Sequence, residues 1–129
     1  MFDARTASSA ALAYLGDAVI EVLVRTRLVD SGLTSSKSLN AHALEYVRAG
    51  AQAQAMTRIL PHLSEEETAV FHRGRNIGHT STPKNATVGE YRTATGMEAL
   101  FGYLSMMEQR DRIDELFALA YPITENTRK

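Results

Sequence analysis

Prolines stand at only three positions, Pro61, Pro83 and Pro122. Between them run long stretches rich in Ala, Leu, Glu, Arg and Met, the residues that lose least on entering a helix, so local propensity predicts helix nearly throughout and an all-α fold. From Ser8 to Val29 the apolar residues Leu12, Leu15, Val19, Val22, Leu23 and Leu28 recur at three- and four-residue intervals, with Thr6 or Ser8 available as a cap and Gly32 beyond the end. A Ser-rich turn, Thr34 to Ser38, leads into a short helix over Leu39 to Val47. A break at Gly50 then separates it from a second over Ala49 to Leu60. Ser64 followed by Glu65, Glu66 and Glu67 is a capping box at the positive end of a fourth helix. Gly74 to Val88 is the one extended irregular stretch. Helical periodicity returns from Gly89 to about Glu108, with Met97, Leu100, Phe101 and Leu104 on one side, and again from Asp111 to Ala120 before Pro122. Met97, Met106 and Met107 fall at helical spacing and read as core filler.

A chain of 129 residues has room for one ordinary core, so residues 1–129 are expected to form a single domain. The balance of 14 Lys+Arg against 15 Asp+Glu, net charge -1, excludes a protein that binds nucleic acid through bulk charge; any phosphate-binding surface must be local. The absence of cysteine removes disulfides, thiolate nucleophiles and Cys-ligated zinc, leaving chemistry to oxygen and nitrogen groups. The opening MFDARTASSAALAYLGDAV holds an acid at Asp3 and no uninterrupted apolar run. It therefore reads as neither signal peptide nor membrane anchor, and a soluble, cytoplasmic protein without membrane contact is expected.

Two acids lie among small and apolar neighbours: Asp17 in Leu12-Ala13-Tyr14-Leu15-Gly16-Asp17-Ala18-Val19, and Glu98 in Gly96-Met97-Glu98-Ala99-Leu100-Phe101. A buried carboxylate persists only when a cation or a hydrogen-bond network compensates it. A buried arginine partner or a backbone cap would do so. Two such acids, each beside a glycine that permits close helix approach, would equally make an oxygen-only site for Mg²⁺, which needs only one or two protein carboxylates.

The strings LAYLGDAVIE (Leu12 to Glu21) and TGMEALFGYL (Thr95 to Leu104) resemble the two signature segments of the ribonuclease III catalytic domain, E-x-L-G-D-A-V and D-x-x-E-A-L-x-G. YVRAGAQA (Tyr46 to Ala53), RGRN (Arg73 to Asn76), TPKNAT (Thr82 to Thr87) and YRTATGMEALFGYL are similar to the short bacterial branch, mini-ribonuclease III, which lacks the double-stranded-RNA-binding domain. The resemblance spans essentially the whole chain. It implies an all-α, homodimeric ribonuclease III-like endonuclease domain with Asp17 and Glu98 as metal ligands and catalytic residues. The implied cofactor is Mg²⁺, with Mn²⁺ able to substitute. The acid expected four residues before Asp17 is Ala13 here, and the one expected three residues before Glu98 is Thr95, so the acidic set is reduced. Between Ala13 and Leu15 and just before Gly16, Tyr14 reads as either a core side chain or an interface plug, and the resemblance implies the plug, packed into a socket on the other subunit.

The histidines His42, His62, His72 and His79 show no HxxxH or HExxH spacing, so zinc hydrolysis is unsupported. Arginine forks match phosphate geometry, and Arg75, Lys84 and Asn85 around the irregular stretch are candidate RNA contacts. For Arg73 and Arg75 the alternative is pairing with Glu65 to Glu67. Glu21, a turn after Asp17, reads as a solvated or interface charge. The resemblance thus implies an Mg²⁺-dependent endoribonuclease of double-stranded RNA, acting on precursor ribosomal RNA of the 23S type, with a ribosomal protein as a further partner. A non-catalytic, ribosome-associated RNA-binding module of the same fold is the alternative.

Overall fold

A computed structural model describes residues 1–77 and 86–123. Helix α1, Ser9–Asp30, starts where the Ser8 hydroxyl accepts from the Ala11 amide at 3.1 Å. It ends before Gly32, whose φ of 99° is the left-handed turn that glycine tolerates. Helix α2, Ser36–Val47, begins three residues ahead of the apolar pattern because Ser35 caps the Ser38 amide. The break before α3, Ala49–Ile59, falls at Arg48, a single extended residue with ψ 145°, and not at Gly50, which lies inside α3. A 3₁₀ turn, Leu60–His62, carries Pro61 and leads to α4, Glu65–Arg75. The expected capping box closes fully there: the Ser64 amide donates to Glu67 at 2.8 Å and the Glu67 amide to Ser64 Oγ at 3.1 Å.

Helix α5, Val88–Met106, opens with a second capping box, Thr87 with Glu90, that the apolar pattern from Gly89 did not disclose. Its C-terminus turns through Glu108 at φ 56°, with the Gln109 amide reaching back to the Leu104 carbonyl at 2.9 Å. Helix α6, Arg110–Ala120, follows. Every element among the described residues is helical, as expected, and no helix is long and apolar enough to cross a membrane.

The core is built around α5, which touches α1, α3, α4 and α6. Phe101, Met97, Leu100 and Leu104 of α5 meet Ile20 and Val24 of α1, Met56 and Ile59 of α3 and Leu116 of α6 in one fully buried cluster. Each such side chain contributes roughly 1.5–3 kcal/mol by leaving water. Met106 and Met107 lie past this core at the end of α5 and are exposed, which corrects their reading as filler.

Two glycines bring α1 and α5 into backbone contact. A Cβ at Gly16 would overlap the Glu98 carbonyl, and one at Gly102 would overlap the Leu12 carbonyl. Gly96 does not serve this contact; a Cβ there would lie 2.7 Å from the Phe71 ring, so it seats α4. The far side of the bundle is fastened by polar pairs. Arg112 of α6 binds the buried Glu67 carboxylate through two hydrogen bonds of 2.8 and 2.7 Å, and holds the Glu67 carboxyl below the usual carboxylate range. Arg27 and Arg58 donate to the Tyr121 and Ala120 carbonyls, capping the end of α6.

Candidate active site

Because α1 and α5 touch through Gly16 and Gly102, the side chains next to that contact are forced to its rim. Asp17 follows Gly16 directly, and Glu98 supplies the carbonyl against which Gly16 packs. The two acids thereby meet across the helix pair, eighty-one residues apart in sequence, close enough for the Asp17 charge to act on the Glu98 carboxyl. Asp17 is exposed and Glu98 half-buried, so these are rim residues of a cleft and not core acids, as their apolar sequence neighbours had implied. The neighbours point elsewhere: Leu12, Ile20, Met97, Leu100 and Phe101 turn into the core while the acids face outward.

The cleft has a volume of about 440 Å³ and is lined by Ala10, Ala13, Tyr14 and Asp17 from α1, Ile77 after α4, and Tyr91, Thr95 and Glu98 from α5. Burial, and then the negative charge of Asp17 beside it, push the Glu98 carboxyl up to about 8. No arginine or lysine pairs with either acid among the described residues. Among the described residues no arginine therefore accounts for them. Two converging carboxylates with no cation between them are an arrangement that a hard divalent ion relieves, since it neutralises both charges and takes oxygen ligands. Space in the cleft accommodates the water or phosphate oxygens that such an ion also carries. The residues present fit an Mg²⁺-like ion, and Asp17 and Glu98 are the ones that would hold it.

Other candidate residues fall into place around this pair. Tyr14 projects from α1 with 86% of its surface exposed, the largest exposure of any described aromatic side chain, so it is not a core residue. Ala18 and Val22 are exposed on the same helix, giving α1 an apolar outer stripe. Arg75 is exposed at the last turn of α4, two residues before Ile77 in the cleft wall. It forms no ion pair among the described residues, and the pairing considered for Arg73 and Arg75 is absent: Glu67 belongs to Arg112, and Glu66 accepts from the Tyr103 hydroxyl at 3.4 Å. Lys84, Asn85 and His79 lie outside the described residues. Glu21 pairs with Arg25 at 3.2 Å and does not line the cleft. His42, His62 and His72 are exposed.

Sequence reasoning missed Tyr91, Ile77 and Ala10 as cleft residues. Tyr91, Thr95 and Glu98 recur at i, i+4 and i+7 on α5, and Ala10, Ala13 and Asp17 at i, i+3 and i+7 on α1, so both walls were legible as helical faces once the acids were fixed.

Known proteins resemble this chain over most of its length. The ribonuclease III domain model matches residues 10–109. Mini-ribonuclease 3 of Symbiobacterium thermophilum is 44% identical over 88% of this chain and 88% of its own. The Mini-ribonuclease 3 proteins of Enterococcus faecalis and Desulfitobacterium hafniense are 43% and 49% identical, over 90% and 79% of this chain and 89% and 64% of theirs. A crystal structure of a Fusobacterium nucleatum protein superposes with a TM-score of 0.81 at 30% identity, covering 90% of this chain and 93% of that one. With the model spanning all the helices from α1 to α5, and both cleft acids inside it, the chain belongs to the ribonuclease III family and is similar over nearly its whole length to the mini-ribonuclease 3 proteins.

Proposed function

We propose that this ribonuclease III-type endoribonuclease hydrolyses phosphodiester bonds of double-stranded RNA with Mg²⁺ held by Asp17 and Glu98, Mn²⁺ serving as a substitute. The observation that carries the reading is the meeting of these two carboxylates, without a cationic partner among the described residues, at the glycine contact of α1 and α5 in an open cleft. A divalent ion there would supply an activated water and neutralise charge developing on the phosphate. The chain's own contribution is placement. Gly16 and Gly102 fix the separation of the two helices, and the helices fix the carboxylates, so little reorganisation accompanies substrate binding.

Duplex RNA presents phosphates along a wide, shallow groove and is recognised by shape and backbone contacts. Arg75, beside the cleft and in no ion pair among the described residues, is suited to such a contact, and Lys84 and Asn85 are further candidates from the sequence alone. The exposed Tyr14 and the apolar stripe behind it on α1 support a homodimer closed through this face. Two clefts, one per protomer, would then each cut one strand. From the resemblance read in the sequence we further propose precursor ribosomal RNA of the 23S type as substrate, a ribosomal protein as partner and the cytoplasm as setting.

Incubation of the protein with long duplex RNA, with Mg²⁺ and with chelator, tests the reading. Discrete cleavage that needs the ion and spares single-stranded RNA is expected; cleavage indifferent to the ion, or none at all, overturns it.

A further inference from the structure

One side chain pins the first turn of α5 at two points. Glu90 closes the capping box with Thr87: its Oε1 accepts from the Thr87 amide at 2.9 Å, and the Glu90 amide donates to Thr87 Oγ1 at 3.0 Å. Its other oxygen, Oε2, lies against the start of α3, where a Cβ added at Gly50 would come within 3.1 Å of it. That end of α3 is short of an anion of its own. Arg48 gives it no side-chain cap and its first turn holds no acid, so a carboxylate from α5 stands by the amides that no helical carbonyl serves and by the positive end of the dipole. Gly50, a poor helix former inside α3, leaves the space that this carboxylate uses. A side chain there would press on an oxygen pair already fixed to Thr87.

The pinned turn carries one end of the cleft wall. Tyr91 follows Glu90 directly and lines the cleft with Thr95 and Glu98. The carboxylate pair is set by a different device, the contact of Gly16 with the Glu98 carbonyl, about 12 Å further along α5. Placement of Tyr91 and placement of the two acids are therefore separable.

We propose that Glu90 is a positioning residue for the substrate: by fastening the first turn of α5 to α3 through its two carboxylate oxygens, it holds Tyr91 where the cleft receives an RNA strand. The inference rests on the reading of this cleft as the site of a duplex-RNA nuclease. Loss of Glu90 frees the turn that carries Tyr91 and leaves the Gly16 contact intact, so substrate binding suffers while the chemical step does not.

Single-turnover cleavage of a long duplex RNA in Mg²⁺, followed over a range of protein concentrations, separates the two quantities. The temperature is set below every melting transition seen by circular dichroism, so that all variants compared are folded. Glu90→Ala is expected to raise the protein concentration for half-maximal rate about fivefold or more, the size of a lost cap, and to lower the maximal rate less than about twofold. Glu90→Gln keeps an oxygen for the Thr87 amide and the length to reach Gly50, and should bring the half-maximal concentration back to within about twofold of the parent's. Ser64→Ala removes the hydroxyl that caps α4 and is the control for stability alone: it should lower the melting temperature and leave the half-maximal concentration at the parental value. Should Glu90→Ala not fold, Glu90→Asp keeps the charge but shortens its reach, and it should shift the half-maximal concentration in the same direction. A folded Glu90→Ala or Glu90→Asp protein with the parental half-maximal concentration overturns the proposal. So does a maximal rate that falls as far as the affinity, or an equal shift in Ser64→Ala. A parent protein that leaves duplex RNA uncut overturns the reading of the cleft itself, and this inference with it.

Discussion

Replacing Gly16 by alanine puts the fold and the site under one perturbation. The added Cβ would overlap the Glu98 carbonyl, with that residue's carbonyl carbon 2.5 Å and the Gly102 amide nitrogen 2.9 Å away. All three are backbone atoms of α5, so no side chain can rotate to make room. The helices must part by roughly 1–2 Å, and a gap of even half that forfeits a quarter to a half of the dispersion energy along the contact. Overpacking ordinarily costs about 1–3 kcal/mol, and a rigid neighbour places this case at the upper end or beyond. Alanine's better helix propensity returns up to about 1 kcal/mol. A net loss of about 3 kcal/mol is expected, which for a chain of this size lowers the melting temperature by roughly 12 °C. Gly89, near the start of α5, is the control. A Cβ there meets only the Thr87 hydroxyl at 4.0 Å, so Gly89→Ala should stabilise by up to about 1 kcal/mol through propensity alone. Because Asp17 adjoins Gly16, an ångström of displacement should also slow cleavage about 100-fold at a temperature where the variant is folded. Thermal melts by circular dichroism and single-turnover cleavage measure both effects. Gly16→Ala behaving like Gly89→Ala would refute the close helix contact as the device that sets the site.

Three further perturbations probe other parts of the account. Arg112→Met strands the Glu67 carboxylate, which is 5% exposed, so urea unfolding at pH 7 should show a loss of about 3 kcal/mol. Since Arg112 lowers the folded pKa of Glu67, that stabilisation exists above the unfolded value and disappears as pH falls through the lower folded one; the gap between variant and parent should narrow in acid. Glu98 has the opposite sign. With its carboxyl pushed up to about 8, the folded metal-free protein binds a proton that the unfolded chain has released, so stability should fall as pH rises from about 4.5 to 8, by at most about 1.4 kcal/mol per pH unit from this group, and Mg²⁺ should flatten the slope. Tyr14→Ala removes the one aromatic of α1, which is exposed, and should weaken self-association by about 30-fold, the effect of an interface anchor of about 2 kcal/mol; sedimentation velocity at micromolar concentration reads the shift to monomer.

The helices were legible because their signals are local. Ser8 and the Ser64 to Glu67 box are capping chemistry, and the three- and four-residue apolar spacing of α1 and α5 survives any tertiary context. Boundaries failed where the signal was weaker than a competing one. Gly50 looked like a break, yet the chain bends at Arg48, since one extended residue suffices to end α2 and Gly50 is compatible with helix. The acids were identifiable from their unusual neighbours, while their exposure was not, because sequence neighbours on a helix point to different faces. Which glycine faces which helix is a tertiary fact, and so Gly102, not Gly96, proved to be the partner of Gly16. The Glu67–Arg112 pair joins residues forty-five apart with no pattern linking them.

In the proposed function Asp17 and Glu98 act together as one cation-dependent site for cutting duplex RNA. Single-turnover cleavage of a long duplex in Mg²⁺ by Asp17→Asn and Glu98→Gln, alongside melts of the same preparations, tests it most directly. Both variants should melt at or above the parent's temperature without metal, since each relieves the burial and charge penalty that opposes ionisation of Glu98, and both should lose at least about 100-fold in cleavage rate. Mg²⁺-dependent cleavage at the parental rate by either folded variant would contradict the account.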